Sequence, residues 1–271
     1  MYEAHWGLTE KPFENTPDHR FLYHSPQHEE GLFRLFYVAS EGKGAGMLTG
    51  VFGCGKTVLA RALLNQLNKN IYQVSLVNNP HLKSVELLRA IARQLGAENL
   101  PIKLTEMSAD YFLQVIEEIL VNNVKDGRKT VIIVDEAHVI TDEDIFEELR
   151  LLLNFQYEDR FLLTLILAGQ PELAERIRKN KQFSQRIAVG YSLGPLNEEE
   201  TKNYIEHRLR VAGVERAIFA QNSFRLIFQN SGGIPRRINQ ICDMCLFTGF
   251  NYDAELIDEK FVNEAIESVG V

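Results

Sequence analysis

Apolar residues recur along the first 194 residues of the chain with two different spacings. Short runs of apolar and β-branched residues predict strands, and longer segments with an apolar residue at every third or fourth position predict helices. The predicted strands are 46–50, 71–77, 130–134, 161–168 and 188–193, and the predicted helices among them are 57–67, 84–95, 111–124 and 143–155. Strands that alternate with helices predict an α/β fold, in which helices cover both faces of a parallel sheet.

The two ends of the chain lack this alternation. Residues 1–26 are rich in aromatic residues, Pro and His without a sustained period, so they predict an irregular strap. After Gly194 and Pro195 only helical spacing continues. We therefore predict three parts, which are the N-terminal strap 1–26, an α/β core 27–194 and an all-α lid 195–271.

A glycine-rich segment joins the first predicted strand to the helix that follows it. Residues 50–57 read GVFGCGKT, which fits the phosphate-loop pattern G-x-x-x-x-G-K-[ST] at every fixed position and in the required strand-to-helix context. Backbone N–H groups of such a loop bind a phosphate chain, the lysine reaches the β- and γ-phosphates, and the hydroxyl ligates Mg²⁺. The expected ligands are therefore ATP or ADP with Mg²⁺. The predicted binding residues are Gly50, Gly53, Cys54, Gly55, Lys56, Thr57 and Val58, with Lys56 also catalytic and Thr57 also a metal ligand.

Two acidic residues directly follow the predicted strand 130–134. A carboxylate at the end of a buried strand beside a phosphate loop is suited to hold Mg²⁺ through water, and we assign this role to Asp135. The adjacent Glu136 is suited to orient and polarise the attacking water. Residues 135–138 also spell DEAH, a helicase signature, but such a helicase needs a second motor domain. Because this chain has only the lid after its last strand, we interpret Ala137 and His138 as coincidental, with His138 capping or lining the next loop.

Polar residues near the ends of the last two strands are further candidates. Gln170 follows the strand 161–168, where it could bind the γ-phosphate or the lytic water. Arg186 stands just before the strand 188–193, where a guanidinium inserted from a neighbouring subunit would stabilise the charge that develops in phosphoryl transfer. Arg176 and Arg178 are the alternatives for this arginine finger.

The lid contributes one more predicted arginine. Residues 232–239 read GGIPRRIN, a helix start with Pro in its first turn and two arginines directly behind. From this position Arg236 could reach the γ-phosphate and make the position of the lid depend on ATP. Arg237 is the alternative.

Composition narrows the class of protein. The chain has 29 Lys and Arg against 37 Asp and Glu, a net charge of −8, which argues against a surface built throughout to bind nucleic acid. Its longest apolar run is 161–169, far short of the roughly 18 residues of a membrane helix, and its start lacks the pattern of a secretory signal. Three cysteines without a framework spacing predict a reducing, cytoplasmic environment.

Together these motifs resemble those of an AAA+ ATPase. Longer stretches are similar to the ExeA/GspA family, which comprises bacterial ATPases of the general secretion pathway and their relatives in type IV pilus and exosortase loci. These stretches extend over essentially the whole chain, and they are MYEAHWGLTEKPFENTPDHRFLYHSPQHEEGL, EELRLLLNF, LAGQPEL, QRI, PLNEEETKNYIEHRLRVAG and GGIPRRIN.

The resemblance implies a five-stranded sheet in the order 5-1-4-3-2 and a hydrolytic ATPase that forms a ring or another homo-oligomer. It also implies a cytoplasmic protein, peripheral to the inner membrane, that powers assembly of an envelope machine together with an inner-membrane, secretion or pilus assembly protein. Longer family members continue into a membrane helix and a peptidoglycan-binding domain, which the 271 residues do not include, so the chain is either a short pilus-type member or an excised ATPase part. Many family members have Gln at the position of His138. Two other hypotheses are a DNA-bound transposition regulator similar to TnsC and a nucleotide-switched scaffold with little turnover.

Overall fold

The computed structural model of the chain describes residues 1–16, 18–78, 82–98, 100–101, 108–158 and 160–270. The chain divides into two compact units, which are described separately. The loop-lid unit comprises Met1–Glu29, Val51–Val58 and Gly194–Val271, and the sheet unit comprises Glu30–Gly50 and Leu59–Leu193. The predicted division into three domains stays a prediction, with bounds at 1–26, 27–194 and 195–271.

Seven strands lie in the described part of the sheet unit, and five of them form its central sheet. The strands are β1 (Ala45–Gly50), β2 (Tyr72–Val77), β3 (Lys129–Val134), β4 (Gln156–Tyr157), β5 (Arg160–Phe161), β6 (Leu163–Gly169) and β7 (Ile187–Leu193). The central sheet has the order β2-β3-β6-β1-β7, and all of its strand pairs are parallel. Counted within this sheet alone, the order is 5-1-4-3-2, so the predicted α/β fold and strand order are confirmed.

The helices cover the sheet and build the lid. They are α1 (Glu3–Trp6), α2 (Pro26–Glu41), α3 (Lys56–Gln66), α4 (Ser84–Gln94), α5 (Ala109–Lys125), α6 (Glu143–Leu152), α7 (Pro171–Lys179), α8 (Lys181–Ser184), α9 (Glu198–Val211), α10 (Gln221–Ser231), α11 (Pro235–Asn251) and α12 (Glu259–Val269). Across the described ranges, no helix combines the length and the apolar character needed to cross a bilayer.

The central strands are buried on both faces, as the continuous apolar runs predict. Every residue of β6 is buried, and in β3 only Lys129 is exposed. Val134 pairs with Leu167, and Thr49 pairs with Gly169, so β1, β3 and β6 end along one edge of the sheet, here called the carboxyl edge. Residues that directly follow these three strands therefore leave the sheet on the same side.

One predicted strand and one predicted helix are shorter than expected. The helix predicted to 155 ends at Leu152, and the strand predicted from 161 begins at Leu163. Between them β4 and β5 pair as a small antiparallel hairpin, and the Leu162 N–H donates to the Phe155 carbonyl at 3.1 Å. Backbone groups that the longer elements would have used are thus bonded within the hairpin.

The strap is part of the hydrophobic core of the loop-lid unit. It is not irregular throughout, since α1 gives it one helical turn and His19–Phe21 give it a turn of 3-10 helix. Trp6 is fully buried, and its indole N–H donates to the Leu246 carbonyl of α11 at 2.9 Å. A Cβ on Gly249 would lie 2.7 Å from the Trp6 ring, so the glycine makes room for the indole.

Candidate nucleotide site

The phosphate loop leaves β1 at Gly50 and ends where α3 begins at Lys56. Gly53 and Gly55 have φ angles of 82° and 104°, a left-handed region that residues with a side chain rarely adopt. A Cβ on Gly53 would also lie 2.7 Å from the Cβ atom of Arg236. The backbone path of the loop therefore requires these two glycines of the motif.

Lys56 is buried at the start of α3, with only 4% of its surface exposed. Its ammonium donates to the carbonyl oxygen of Val51, at 3.1 Å. Thr57 and Val58 follow in the first helical turn, and both are half-buried. Left-handed glycines, a helix N-terminus and a buried ammonium together provide the donors and the positive field that a polyphosphate needs, so the loop fits the phosphates of a nucleotide.

A buried histidine holds the middle of the loop. His28 Nε2 lies 3.2 Å from the Cys54 carbonyl oxygen, and its Nδ1 lies 2.7 Å from Ser25 Oγ. Because a carbonyl only accepts, Nε2 carries the proton and Nδ1 accepts from the hydroxyl. Burial lowers the pKa of His28, an effect that the hydrogen bond to Cys54 opposes. A neutral ring at this position links the start of α2 to the loop backbone.

The thiol of Cys54 points into the protein. Its side chain is fully buried, and burial raises the pKa of the thiol, while Lys56 nearby acts in the opposite direction. The predicted part of Cys54 in nucleotide binding therefore falls to its backbone, since a buried neutral thiol offers only a weak donor.

A small cavity of about 50 Å³ lies beside the loop, within the loop-lid unit. The strap, the phosphate loop and the lid all contribute to its walls. The Arg208 guanidinium lies 4.8 Å from the centroid of the Phe21 ring and helps to form one wall. A cavity of this size holds a few water molecules, which is too little space for a nucleotide.

The start of α11 brings one lid arginine to the phosphate loop. The Arg236 N–H donates to the Gly53 carbonyl at 3.2 Å, and its guanidinium lies 4.7 Å from the centroid of the Phe52 ring. Just before α11, Gly233 packs closely against Leu196, since a Cβ on it would lie 1.9 Å from the Leu196 carbonyl oxygen. Arg237 is exposed, and its N–H donates within the turn to Ile234.

In the sheet unit, the two acidic residues stand at the carboxyl edge. Asp135 follows β3 and is 2% exposed, and one of its carboxylate oxygens accepts from the Glu136 N–H at 2.9 Å. Glu136 has a φ angle of 55°, a left-handed conformation that costs about 1–3 kcal/mol in a residue other than Gly. The chain thus turns sharply after β3, and the turn leaves the Glu136 side chain partly exposed.

Gln170 lies at the same edge and meets this turn through His138. The side-chain nitrogen of Gln170 lies 2.8 Å from His138 Nε2. On the other side of the ring, His138 Nδ1 lies 3.5 Å from a carboxylate oxygen of Glu136. The predicted site residues Glu136 and Gln170, which come from two neighbouring strands, are therefore joined by a histidine that the sequence interpretation set aside.

The family model described as an AAA domain matches residues 39–177, more than half of the chain. The chain belongs to this family. Over 253 residues it is 37% identical to general secretion pathway protein A of Aeromonas hydrophila, which covers 92% of this chain and 45% of that protein. The AAA chain thus spans less than half of that relative, and the predicted resemblance to its family is confirmed.

Two further similarities concern more distant proteins. An uncharacterised HTH-type transcriptional regulator of Methanocaldococcus jannaschii is 25% identical over 254 residues, covering 90% of the AAA chain and 61% of the regulator. The solved structure of the Aeropyrum pernix ORC2 protein aligns with a TM-score of 0.70 over 96% of the AAA chain and 71% of ORC2. At 17% identity, the second similarity shows the fold alone.

Arg186 of the AAA chain lies at the opposite edge of the sheet. Its carbonyl accepts from the N–H of Ala45, the first residue of β1, and its guanidinium donates to Asn154 Oδ1 at 2.9 Å. The guanidinium also lies 5.8 Å from the centroid of the Phe161 ring. The seven residues of β7 separate Arg186 from the carboxyl edge by roughly 20 Å. The side chain of Arg186 therefore does not reach Asp135 of its own chain.

Arg176 and Arg178, the two alternatives for the finger, lie on α7. Arg178 is exposed. The Arg176 guanidinium lies 5.6 Å from the centroid of the Phe146 ring, and its Nε lies 4.0 Å from a carboxylate oxygen of Glu143. Arg176 also lines a surface cavity of about 640 Å³ that the sequence did not predict, together with His138, Glu143, Glu172, Glu175, Lys179 and Asn180.

Proposed function

We propose that this AAA chain binds ATP with Mg²⁺ and hydrolyses it. The observation that carries the proposal is the phosphate loop, with its left-handed glycines and buried Lys56. In the sheet unit, Asp135 and Glu136 support it, since they follow β3 at the edge where β1 also ends. A loop of this kind holds the phosphate chain, and the carboxylates supply the groups that hydrolysis needs.

The predicted catalytic and metal-binding residues then have separate functions. Lys56 binds the β- and γ-phosphates, and Gln170 binds the γ-phosphate or the attacking water. Thr57 and Asp135 would hold Mg²⁺, which would neutralise charge on the phosphates. Glu136 orients and polarises the attacking water, a positioning role that its partly exposed carboxylate suits. Arg236 senses the phosphates from the lid.

Self-association is a further part of the proposal, and the position of Arg186 supports it. Since this side chain lies roughly 20 Å from the carboxyl edge of its own sheet, we assign its catalytic role to the site of a neighbouring copy. The arrangement predicts a ring or another homo-oligomer, in which each Arg186 stabilises the charge that develops at the next subunit's nucleotide.

Mixing two inactive variants tests both parts of the proposal. Arg186→Ala keeps an intact site of its own but offers no finger, and Glu136→Gln offers a finger but cannot hydrolyse ATP. We expect each variant alone to bind ATP with almost no phosphate release, and the mixture to recover activity well above the sum of the two. If the mixture stays inactive while wild type hydrolyses ATP, Arg186 is not the finger, and Arg176→Ala then enters the same assay.

We further propose that the chain powers assembly of a bacterial envelope machine. Support comes from the 37% identity to general secretion pathway protein A, although the chain spans only 45% of that protein. A type II secretion system with its secretin, a type IV pilus and an exosortase-linked export system are the candidate machines. The partner is then an inner-membrane or secretion and pilus assembly protein, and the chain works in the cytoplasm, peripheral to the inner membrane.

Deletion of the gene tests this role in cells. We expect the deletion to reduce the envelope-embedded multimers of the cognate secretin or pilus, with recovery by the wild-type gene but not by a Lys56→Ala gene. If Lys56→Ala restores assembly fully, ATP does not power the step, and the chain is the nucleotide-independent part of a scaffold. Hydrolysis slower than about 0.01 s⁻¹ would favour the nucleotide-switched scaffold, since typical kinase turnover runs at roughly 1–100 s⁻¹.

A DNA-associated ATPase, such as a transposition regulator similar to TnsC, is the second candidate function. The similarity to an HTH-type transcriptional regulator over 90% of the chain favours it, and the net charge of −8 opposes it. An ATP-dependent DNA gel shift that weakens steeply with salt would support this candidate. We expect no such shift.

A further inference from the structure

Three polar side chains form a line along the carboxyl edge of the sheet unit. Gln170 follows β6, Glu136 follows β3, and His138 lies between their side chains in a short 3-10 turn, Ala137–Val139. The two distances are 2.8 Å, from Gln170 Nε2 to His138 Nε2, and 3.5 Å, from His138 Nδ1 to Glu136 Oε2. One imidazole ring thus faces both a proposed phosphate sensor and the proposed water-orienting carboxylate.

The chemistry of the groups fixes the direction of these contacts. An amide nitrogen can only donate, so His138 Nε2 accepts from Gln170, and the proton of the neutral ring is on Nδ1. This Nδ1 is buried and has no hydrogen-bond partner of normal length within the described residues. The acceptor that it faces is the Glu136 carboxylate, and a shortening of about 0.5 Å would complete a hydrogen bond of ordinary length.

The backbone holds the histidine in this position. Gly169, the last residue of β6, lies against the turn, and a Cβ on it would lie 3.0 Å from the backbone nitrogen of His138. The turn itself is closed by the Val139 N–H, which donates to the Glu136 carbonyl at 3.0 Å. Because the His138 side chain is only 13% exposed, its ring cannot rotate away freely. Strain at Glu136 and the close approach at Gly169 therefore maintain the arrangement.

We propose that His138 is a positioning residue that couples Gln170 to Glu136, so that contact of Gln170 with the γ-phosphate sets the place of the Glu136 carboxylate. This inference rests on the proposed ATPase function and adds to it a link that no motif predicts. His138 acts on the carboxylate and does not itself touch the nucleotide. Its loss therefore lowers kcat and leaves ATP binding unchanged.

Variants of His138 in the full chain test the coupling by kinetics. We expect His138→Ala to lower kcat by roughly 10- to 100-fold with little change in KM, because a displacement of about 1 Å of a positioning group costs rates of this order. His138→Gln should recover most of the activity, since its amide both accepts from Gln170 and donates to Glu136. The exposed His19, which lies outside the site, gives the matched control His19→Ala, expected to be unchanged.

A double-mutant cycle separates coupling from a general structural effect. In a Gln170→Ala background, His138→Ala should cost less than about 3-fold in kcat, because the link has already been broken. Equal costs in both backgrounds would overturn the proposal, as would wild-type kcat in His138→Ala. Such results would leave the ATPase function intact, provided that wild type hydrolyses ATP and Glu136→Gln does not.

A spectroscopic test applies even if the chain proves not to hydrolyse ATP. The ¹⁵N shifts of the His138 ring should show the tautomer with the proton on Nδ1, and this signature should weaken in Gln170→Ala. A ring that carries its proton on Nε2 in the wild-type protein would refute the link. Measurement of the thermal unfolding midpoint shows whether each variant is folded.

Discussion

The phosphate loop and the carboxyl edge both carry proposed catalytic residues, but they are built in different ways. The loop is local, since its conformation depends on glycines and a helix start within the eight residues 50–57. The carboxyl edge depends on contacts between residues that are more than thirty positions apart, such as His138 and Gln170. Nucleotide binding thus follows from a short segment, whereas control of the carboxylate depends on the assembled sheet.

Substitution of Lys56 in the phosphate loop and of Glu136 at the carboxyl edge should separate ATP binding from ATP hydrolysis. These two substitutions should have the largest effects among the predictions. We expect Lys56→Ala to lower both ATP affinity and kcat by at least about 100-fold, because the phosphates lose their buried cation. Glu136→Gln should lower kcat by a similar factor and leave affinity unchanged. Fluorescent-nucleotide titration and phosphate release measure the two quantities. If Glu136→Gln also abolishes ATP binding, binding and hydrolysis do not depend on separate regions.

Two glycine substitutions show whether ATP affinity depends on the close approach at the phosphate loop or on backbone strain alone. Gly53→Ala places a Cβ 2.7 Å from Arg236 at a φ of 82°, whereas Gly127→Ala creates a similar strain at a φ of 72° with open space around it. Both substitutions should destabilise the fold by about 1 kcal/mol from strain alone. Only Gly53→Ala should lower ATP affinity, by roughly 10-fold or more. Equal affinities of the two variants would show that the close approach to Arg236 is unimportant.

The adjacent lid arginines give a smaller and more specific effect. Both arginines are exposed, but Arg236 contacts Phe52 of the phosphate loop, whereas the Arg237 N–H donates within its own turn. Arg236→Ala should therefore reduce ATP affinity or kcat by roughly 10-fold, while Arg237→Ala should stay within about 2-fold of wild type. A result in which Arg237→Ala has the larger effect would assign the sensing role to Arg237.

The smallest effect concerns pH and the histidine behind the loop. Because burial lowers the pKa of His28, its contribution to folding stability is complete above about pH 6.5 and decreases as the pH falls toward the lower pKa of the folded state. His28→Gln keeps a donor for Cys54 and an acceptor for Ser25 but removes the titration. On acidification from about pH 7.5 to about pH 5.5, this variant should lose less stability than wild type, by up to about 1 kcal/mol. Thermal unfolding midpoints measured across this pH range give the difference. An equal decrease of the midpoint with pH in both proteins would contradict the prediction.

Local sequence patterns predicted the features that depend on residues close together in the chain. The alternation of strands and helices predicted the α/β class, and the family resemblance implied the strand order that is observed. The motif of residues 50–57 lies in its expected strand-to-helix context because its glycines are the residues that tolerate the left-handed turns. The catalytic roles of Lys56, Glu136 and the other site residues stay predictions.

Features that depend on distant contacts were not predictable in this way. Nothing in the spacing around His138 signals that Gln170 will lie 2.8 Å from its ring, because this contact follows from the pairing of β3 with β6. His28 is similar, since its partner Cys54 comes from a different part of the chain. The β4-β5 hairpin has too few residues to show a period, so the sequence predicts no strand at β4 and includes only Phe161 of β5 in the strand 161–168.

The burial of Trp6 against α11 also has a consequence for the order of folding during synthesis. Its indole N–H donates to the carbonyl of a residue 240 positions further along the chain, so this part of the core is incomplete until α11 has left the ribosome. Synthesis proceeds from the N-terminus at about 5–20 residues per second, which gives the sheet unit time to fold first. Because the phosphate loop belongs to the same unit as Trp6, a nascent chain would complete the packing around this loop only after the lid has been synthesised.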